Sequence, residues 1–172
     1  KKYQGWKMQA KSAVAKATVV EAELPLHENT PNAMRLDITS VEKGGKVVLT
    51  NTGYWGMGLK SGAKYDLRFY VRSDNYKGGI TARISDSKTG STYGYVEFKK
   101  RKIKEWTEYT AVLNSTGTTG NGQLSLEFEA KGTVWVDYVS LFPQDTFKGR
   151  KNGLRPDLAE MLIGLHPKFM RW

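Results

Sequence analysis

The chain has 172 residues, no cysteine and a formal net charge of +10, with 39% hydrophobic, 26% charged and 12% aromatic residues. That balance excludes a disulfide framework, a thiolate metal site and wholesale disorder, and no apolar run is long enough to cross a bilayer as a helix. The length suits one domain of ordinary size, or one domain with a fragment attached.

The N-terminal Lys1-Lys2-Tyr3-Gln4-Gly5-Trp6 has a basic start but no apolar stretch behind it, so it does not read as a signal peptide. From Trp6 onward the pattern has period two. Trp6, Met8 and Ala10 alternate with Lys7, Gln9 and Lys11, and Met34, Leu36 and Ile38 alternate with Arg35, Asp37 and Thr39. Gly44-Gly45 is expected to turn the chain into a further strand from Lys46 to Thr50. Tyr65, Leu67, Phe69 and Val71 then alternate with Asp66, Arg68, Tyr70 and Arg72. Ile80, Ala82 and Ile84 follow, then Gly94, Val96 and Phe98, Trp106 to Leu113, Leu124 to Phe128, and Val134 to Leu141. Alternation sends one set of side chains to the core and the other to solvent. Many short strands broken by Gly, Asn, Asp and Ser turns predict an all-β fold, an antiparallel β-sandwich of two facing sheets.

The densest basic run is Lys99-Lys100-Arg101-Lys102-Ile103-Lys104. It holds no aromatic residue on which a base would stack, so it reads as a solvated hairpin tip rather than a nucleic-acid site. Neither nucleic acid nor a membrane is expected as a partner.

After Phe142-Pro143 the character changes. Residues 144–153 are polar and basic and read as a linker. Leu154, Leu158, Met161, Leu162 and Leu165 then recur at helical spacing, with Pro156 at a first-turn position and Gly164 and Pro167 as the stop. Lys168 to Trp172 reads as a strand, so the segment looks like the opening of an α/β unit.

Two stretches carry a recognisable signature. One is Asn51-Thr-Gly-Tyr-Trp-Gly-Met-Gly58 with Gly62-Ala-Lys-Tyr-Asp-Leu-Arg-Phe-Tyr-Val-Arg72. The other runs from Val134-Trp-Val-Asp-Tyr-Val-Ser-Leu-Phe-Pro143 through Asn152-Gly-Leu-Arg-Pro-Asp-Leu-Ala-Glu160 to Pro167-Lys-Phe-Met-Arg171. Together they resemble α-L-arabinofuranosidases of glycoside hydrolase family fifty-one. The resemblance implies a jelly-roll module, similar to the four/nine type of carbohydrate-binding module, over residues 1–142. It implies that residues 143–172 are a linker, a helix and the first strand of a catalytic (β/α)₈ barrel. The family's two catalytic glutamates would then lie beyond Trp172. The implied partners are an arabinose-containing plant polysaccharide and the barrel of the same parent chain. A secreted or periplasmic location follows from the substrate class alone.

The residues themselves point to binding rather than catalysis. A retaining glycosidase needs two carboxyl groups about 5 Å apart across a sugar, one with a raised pKa. Glu127 and Glu129 are i and i+2 neighbours on one strand face, and with outward Arg68, Arg72 and Arg83 nearby they read as cross-strand ion-pair partners. His27 and His166 fall too far apart in the predicted organisation to build a triad or a histidine metal site. A sugar is held by an aromatic ring against its C–H face and polar groups on its hydroxyls. Tyr93 and Tyr95, alternating with Gly94 and Val96, are both expected to face outward. Tyr70 lies between Arg68 and Arg72, and these residues are expected to share one face with the other tyrosines. Trp55, in a Gly-rich loop, is either a sugar platform or a contact to the missing barrel.

No cofactor is required. Related jelly-roll modules carry a structural calcium with an Asp of the last strand among its ligands, and the resemblance makes Asp137 the candidate. The alternative for Asp137 is a buried hydrogen-bond acceptor at a sheet edge. Three roles stay open: a sugar-binding module, a structural support for the barrel, and, the weakest of the three, a basic module for acidic polysaccharide or nucleic acid.

Overall fold

The computed structural model describes residues 6–21, 25–28, 32–52, 57–101 and 104–144. The expected helix at 154–165, the strand at 168–172, the linker beyond Gln144 and Trp55 lie outside the described residues.

All described elements are strands: β1 (Trp6–Glu21), β2 (Asn32–Asn51), β3 (Met57–Leu59), β4 (Lys64–Asp74), β5 (Ile80–Asp86), β6 (Thr92–Phe98), β7 (Thr107–Asn114), β8 (Thr119–Phe128) and β9 (Gly132–Pro143). Their pairings are antiparallel and run β6-β5-β8-β2-β9-β4-β7, with β1 on β2 and β3 on β8. β2 joins two leaves. Its C-terminal half, Val47 to Asn51, pairs β8, while its N-terminal half, Met34 to Ile38, pairs β9. Leaf A is thus β6-β5-β8 with one half of the β1–β2 ribbon. Leaf B is β7-β4-β9 with the other half. The ends of the path meet, since Thr116 N donates to Tyr93 O at 2.9 Å.

The core lies between the leaves. Ile80, Ala82, Ile84, Leu124, Leu126, Phe128, Val47 and Leu49 face it from leaf A, and Leu67, Phe69, Val71, Tyr109, Val134, Val136, Met34 and Leu36 from leaf B. These are the positions that alternation selects, and they are buried because their neighbours two residues away are too.

Bulges let the ribbon serve both leaves. Ser12 has φ 46°, and the β1–β2 register shifts between Lys11 and Ala13. That shift moves the core-facing set of β1 from Trp6 and Met8 to Ala13, Ala15 and Ala17. Opposite it, Gly44-Gly45 does not reverse the chain as the sequence suggests. It is the bulged stretch inside the continuous β2, with Gly44 at φ 78°. A Cβ on Gly45 would run into the carbonyl oxygen of Ser12. Gly45→Ala is therefore expected to cost about 1–3 kcal/mol of stability, measured by urea unfolding, because neither backbone can retreat without breaking the ribbon.

A second expectation changes as well. The basic run at 99–104 is not a hairpin tip, because β6 and β7 belong to different leaves; its described members are exposed and belong to the crossover between the leaves.

Candidate carbohydrate-binding faces

Each leaf has an outer face, and the predicted site residues divide between them. Tyr95 faces out of leaf A. Tyr70, Arg68 and Arg72 face out of leaf B. The single aromatic face expected from the sequence does not form, because strands that alternate alike are placed on opposite leaves.

On leaf A, Tyr95 is 58% exposed and pairs in register with Arg83. The Arg83 guanidinium carbon sits 5.2 Å from the Tyr95 ring centroid. Arg83 Nε also donates to Glu127 Oε1 at 3.1 Å, and Lys46 Nζ donates to the same oxygen at 2.9 Å. The Glu127 side chain is only 11% exposed. Burial by itself would push its carboxyl up, but the hydrogen bonds and charges of Arg83 and Lys46 outweigh that and hold it below the usual range. A chain of contacts thus crosses β6, β5, β8 and β2 and fixes Arg83 beneath an open tyrosine. Beside it lie the Thr50–Ser125 hydroxyl pair at 3.2 Å and the Gln123 Nε2 to Ser85 Oγ bond at 3.1 Å. The cross-strand ion pairing expected of Arg83 and Glu127 is present.

Tyr93 departs from expectation. The β5–β6 register shifts between Ile84 and Ser85, so Tyr93 leaves the alternation of β6. It is half-buried and packs on the core, with its ring where a Cβ on Gly117 would fall. It is not a second platform beside Tyr95.

On leaf B, Arg68 Nε pairs with Glu108 Oε1 at 3.5 Å, and Tyr70 donates its hydroxyl to Glu108 Oε2 at 2.8 Å. That bond to a carboxylate, aided by desolvation, raises the Tyr70 pKa. Tyr138 meets Tyr70 edge-on, with ring centroids 6.2 Å apart. Sequence reasoning did not single out Trp135, although it alternates with buried Val134 and Val136. It stands in register between Arg35 and Arg72, whose guanidinium carbons lie 5.5 and 4.9 Å from its ring centroid. Arg72 therefore serves Trp135, and guanidiniums from both neighbouring strands already occupy that ring. Val112 and Phe142, both exposed, flank Asp66 in register on the same leaf. Gln144 closes this edge, donating to Lys64 O and to Asp66 Oδ1 at 2.8 and 2.7 Å.

Asp137 lies on β9, a central strand between β2 and β4, not at a sheet edge. Its residue is 6% exposed, and one carboxylate oxygen accepts the Tyr138 N–H at 2.7 Å. The β4–β9 register shifts just beyond it, where Tyr138 takes φ 53°. Burial pushes the Asp137 carboxyl up to about 6, against the weaker pull of the Tyr138 amide. Among the described residues no group of three or more His, Asp or Glu gathers there. Calcium takes six to eight oxygens, of which the Asp137 carboxylate would supply one or two; among the described residues that carboxylate serves as a buried acceptor for the Tyr138 N–H.

No family model matches the chain. Among curated proteins it is similar to α-L-arabinofuranosidase 1 of Arabidopsis thaliana, 32% identical over 152 residues that make up 84% of this chain and 22% of the relative. It is also similar to α-L-arabinofuranosidase A of Aspergillus kawachii, 30% identical over 168 residues, 94% of this chain and 26% of the relative. The chain thus spans about a quarter of the length of such relatives. An arabinose-bound MgGH51 α-L-arabinofuranosidase superposes with a TM-score of 0.76 at 25% identity, over 90% of this chain and 25% of that one. A CBM4 structure shares the fold, with a TM-score of 0.51 at 20% identity over 81% of this chain and 95% of that one. Along nearly its whole length the chain is related to one segment of the α-L-arabinofuranosidases of glycoside hydrolase family fifty-one.

Proposed function

We propose that this sandwich is the non-catalytic carbohydrate-binding module of a parent α-L-arabinofuranosidase that removes arabinofuranosyl residues from arabinan or arabinoxylan. Residues 1–142 form the module in this reading, and residues 143–172 lead into the catalytic barrel. A polymeric plant substrate implies a secreted or periplasmic enzyme. The observation that carries the reading is Tyr95, a large open ring on a polar strand face, backed by a guanidinium that Glu127 holds in place. An open ring accepts the C–H face of a sugar, and a fixed Arg donates to its hydroxyls. Glu127 serves there as an ion-paired anchor, with a pKa shifted opposite to that of a general acid.

Calorimetric titration of the full chain with arabino-oligosaccharides and arabinoxylan tests this. Heat of binding that survives high salt is expected, with dissociation constants between about micromolar and millimolar, because a shallow polar site gains little net free energy. Tyr95→Ala is expected to weaken binding by about 1–2 kcal/mol, the scale of one lost ring contact.

A second reading has its own observation. Val112, Tyr138 and Phe142 are exposed on the outer face of leaf B, next to where the chain leaves β9. Exposed apolar side chains close to that exit, Val112 and Phe142 on either side of Asp66 and Tyr138 further back on β9, suit a module that props the catalytic barrel. Absence of heat with every glycan would favour this role.

A further inference from the structure

Leaf A carries more than one platform. Tyr95 on β6, Arg83 on β5, Ser125 on β8, Thr50 on β2 and Lys7 on β1 are register partners in one continuous row. Neighbouring strands lie about 4.8 Å apart, so the row runs about 14 Å from Tyr95 to Thr50 and further to Lys7. Its centre is built from the short side chains of Ser125, which is buried on the face, and Thr50; the Ser85–Gln123 pair lies in the row on one side and Glu127 in the row on the other. Polar groups follow one another along it, and the aromatic ring lies at one end.

Resting on the sugar-binding reading above, we propose that this row is a transverse track for a neutral, extended oligosaccharide lying across the strands. Its terminal or near-terminal unit stacks on Tyr95, and successive units reach the Thr50 and Lys7 end. Several features favour a neutral chain. Glu127 pairs with both Arg83 and Lys46, and Glu97, partner of Thr81 in the adjacent row, adds a second negative charge, so two carboxylates offset most of the charge of Arg83, Lys46 and Lys7 and leave little net attraction for an acidic sugar. A neutral chain instead finds hydroxyl, amide and guanidinium groups at intervals along its length. On leaf B the Trp135 ring is already covered by Arg35 and Arg72.

A track differs from a single platform in how affinity depends on ligand length. The full chain would be titrated with linear arabino-oligosaccharides from disaccharide to hexasaccharide. Association is expected to strengthen by about tenfold or more along the series. In a Lys7→Ala/Thr50→Val variant, both changes lying outside the core, the disaccharide should bind as before while the gain for longer chains shrinks to about threefold or less. Tyr95→Ala should weaken every length, and Tyr70→Ala/Arg72→Ala on leaf B should alter none. Binding that is independent of length, or unchanged in the Lys7/Thr50 variant, overturns the track while leaving a sugar-binding module intact. Binding lost in the leaf B variant places the site on the other face and overturns the track. No binding by the unmodified chain to any oligosaccharide overturns both the track and the proposed function.

Discussion

Phe69→Ala is expected to remove about 3–5 kcal/mol of folding stability, enough to leave a marginal domain largely unfolded at physiological temperature. Phe69 is fully buried in β4 and stacks on Tyr109 of β7, with centroids 5.0 Å apart and planes 7° from parallel. Phe98 of β6 meets both rings edge-on, at 5.5 Å from Phe69 and 5.0 Å from Tyr109. Two of these rings belong to leaf B and one to leaf A, so the triangle joins the leaves where β6 and β7 approach. Truncating its central member leaves a cavity whose walls are held by separate sheets and cannot close together. The loss therefore includes the cavity penalty as well as the transfer free energy of the ring. Guanidinium unfolding monitored by tryptophan fluorescence measures it. Val112→Ala, on the exposed side of β7, is the matched control and should stay within about 0.5 kcal/mol of the parent. Equal losses in the two variants would mean that the aromatic triangle does not govern how the leaves hold together.

The same triangle shows what alternation can and cannot reveal. Phe69 was legible as a core residue because Tyr65, Leu67 and Val71 share its parity and polar residues fill the gaps between them. The strands β4, β5, β8 and β9 were legible in the same way. Parity is a local property, though, and each bulge resets it. Ser12 moves the core-facing set of β1 by one residue, and the shift beside Ile84 turns Tyr93 inward, although its spacing from Tyr95 promises a shared face. Parity also says only that a side chain points away from the core. In a sandwich there are two such directions, and which one applies depends on pairings between strands distant in sequence. Tyr70 pairs toward Glu108 and Asp137, Tyr95 toward Arg83, and nothing in either strand's own residues announces that these are opposite sides of the molecule. The anchoring of Arg83 by Glu127, 44 positions apart, was partly readable, because outward charges of opposite sign on neighbouring strands tend to pair. The occupation of Trp135 by two arginines was not, since it needs three strands from separate parts of the chain to lie side by side.

Asp137 should make the protein less stable as pH rises from about 4 to about 6, the reverse of an ion-paired carboxylate. Its carboxyl titrates near 6 in the folded chain against an ordinary value of 3.8, because burial penalises the charged form and the Tyr138 amide only partly offsets that. Below both values the group is protonated in the folded and unfolded states alike, and the difference vanishes. Between them the folded state holds the extra proton, so raising the pH favours unfolding; above about 6 the full penalty remains. Two pKa units correspond to about 3 kcal/mol. Asp137→Asn removes the titration while keeping an oxygen to accept the Tyr138 N–H. The variant and the parent should therefore be close in stability near pH 4, and the variant should become the more stable by up to about 3 kcal/mol at pH 7.5. Urea unfolding of both proteins across that range, compared as a difference so that other titrating groups cancel, reads the effect directly. A difference independent of pH would mean that the Asp137 carboxylate is fully compensated in the folded state and that its burial does not set its titration.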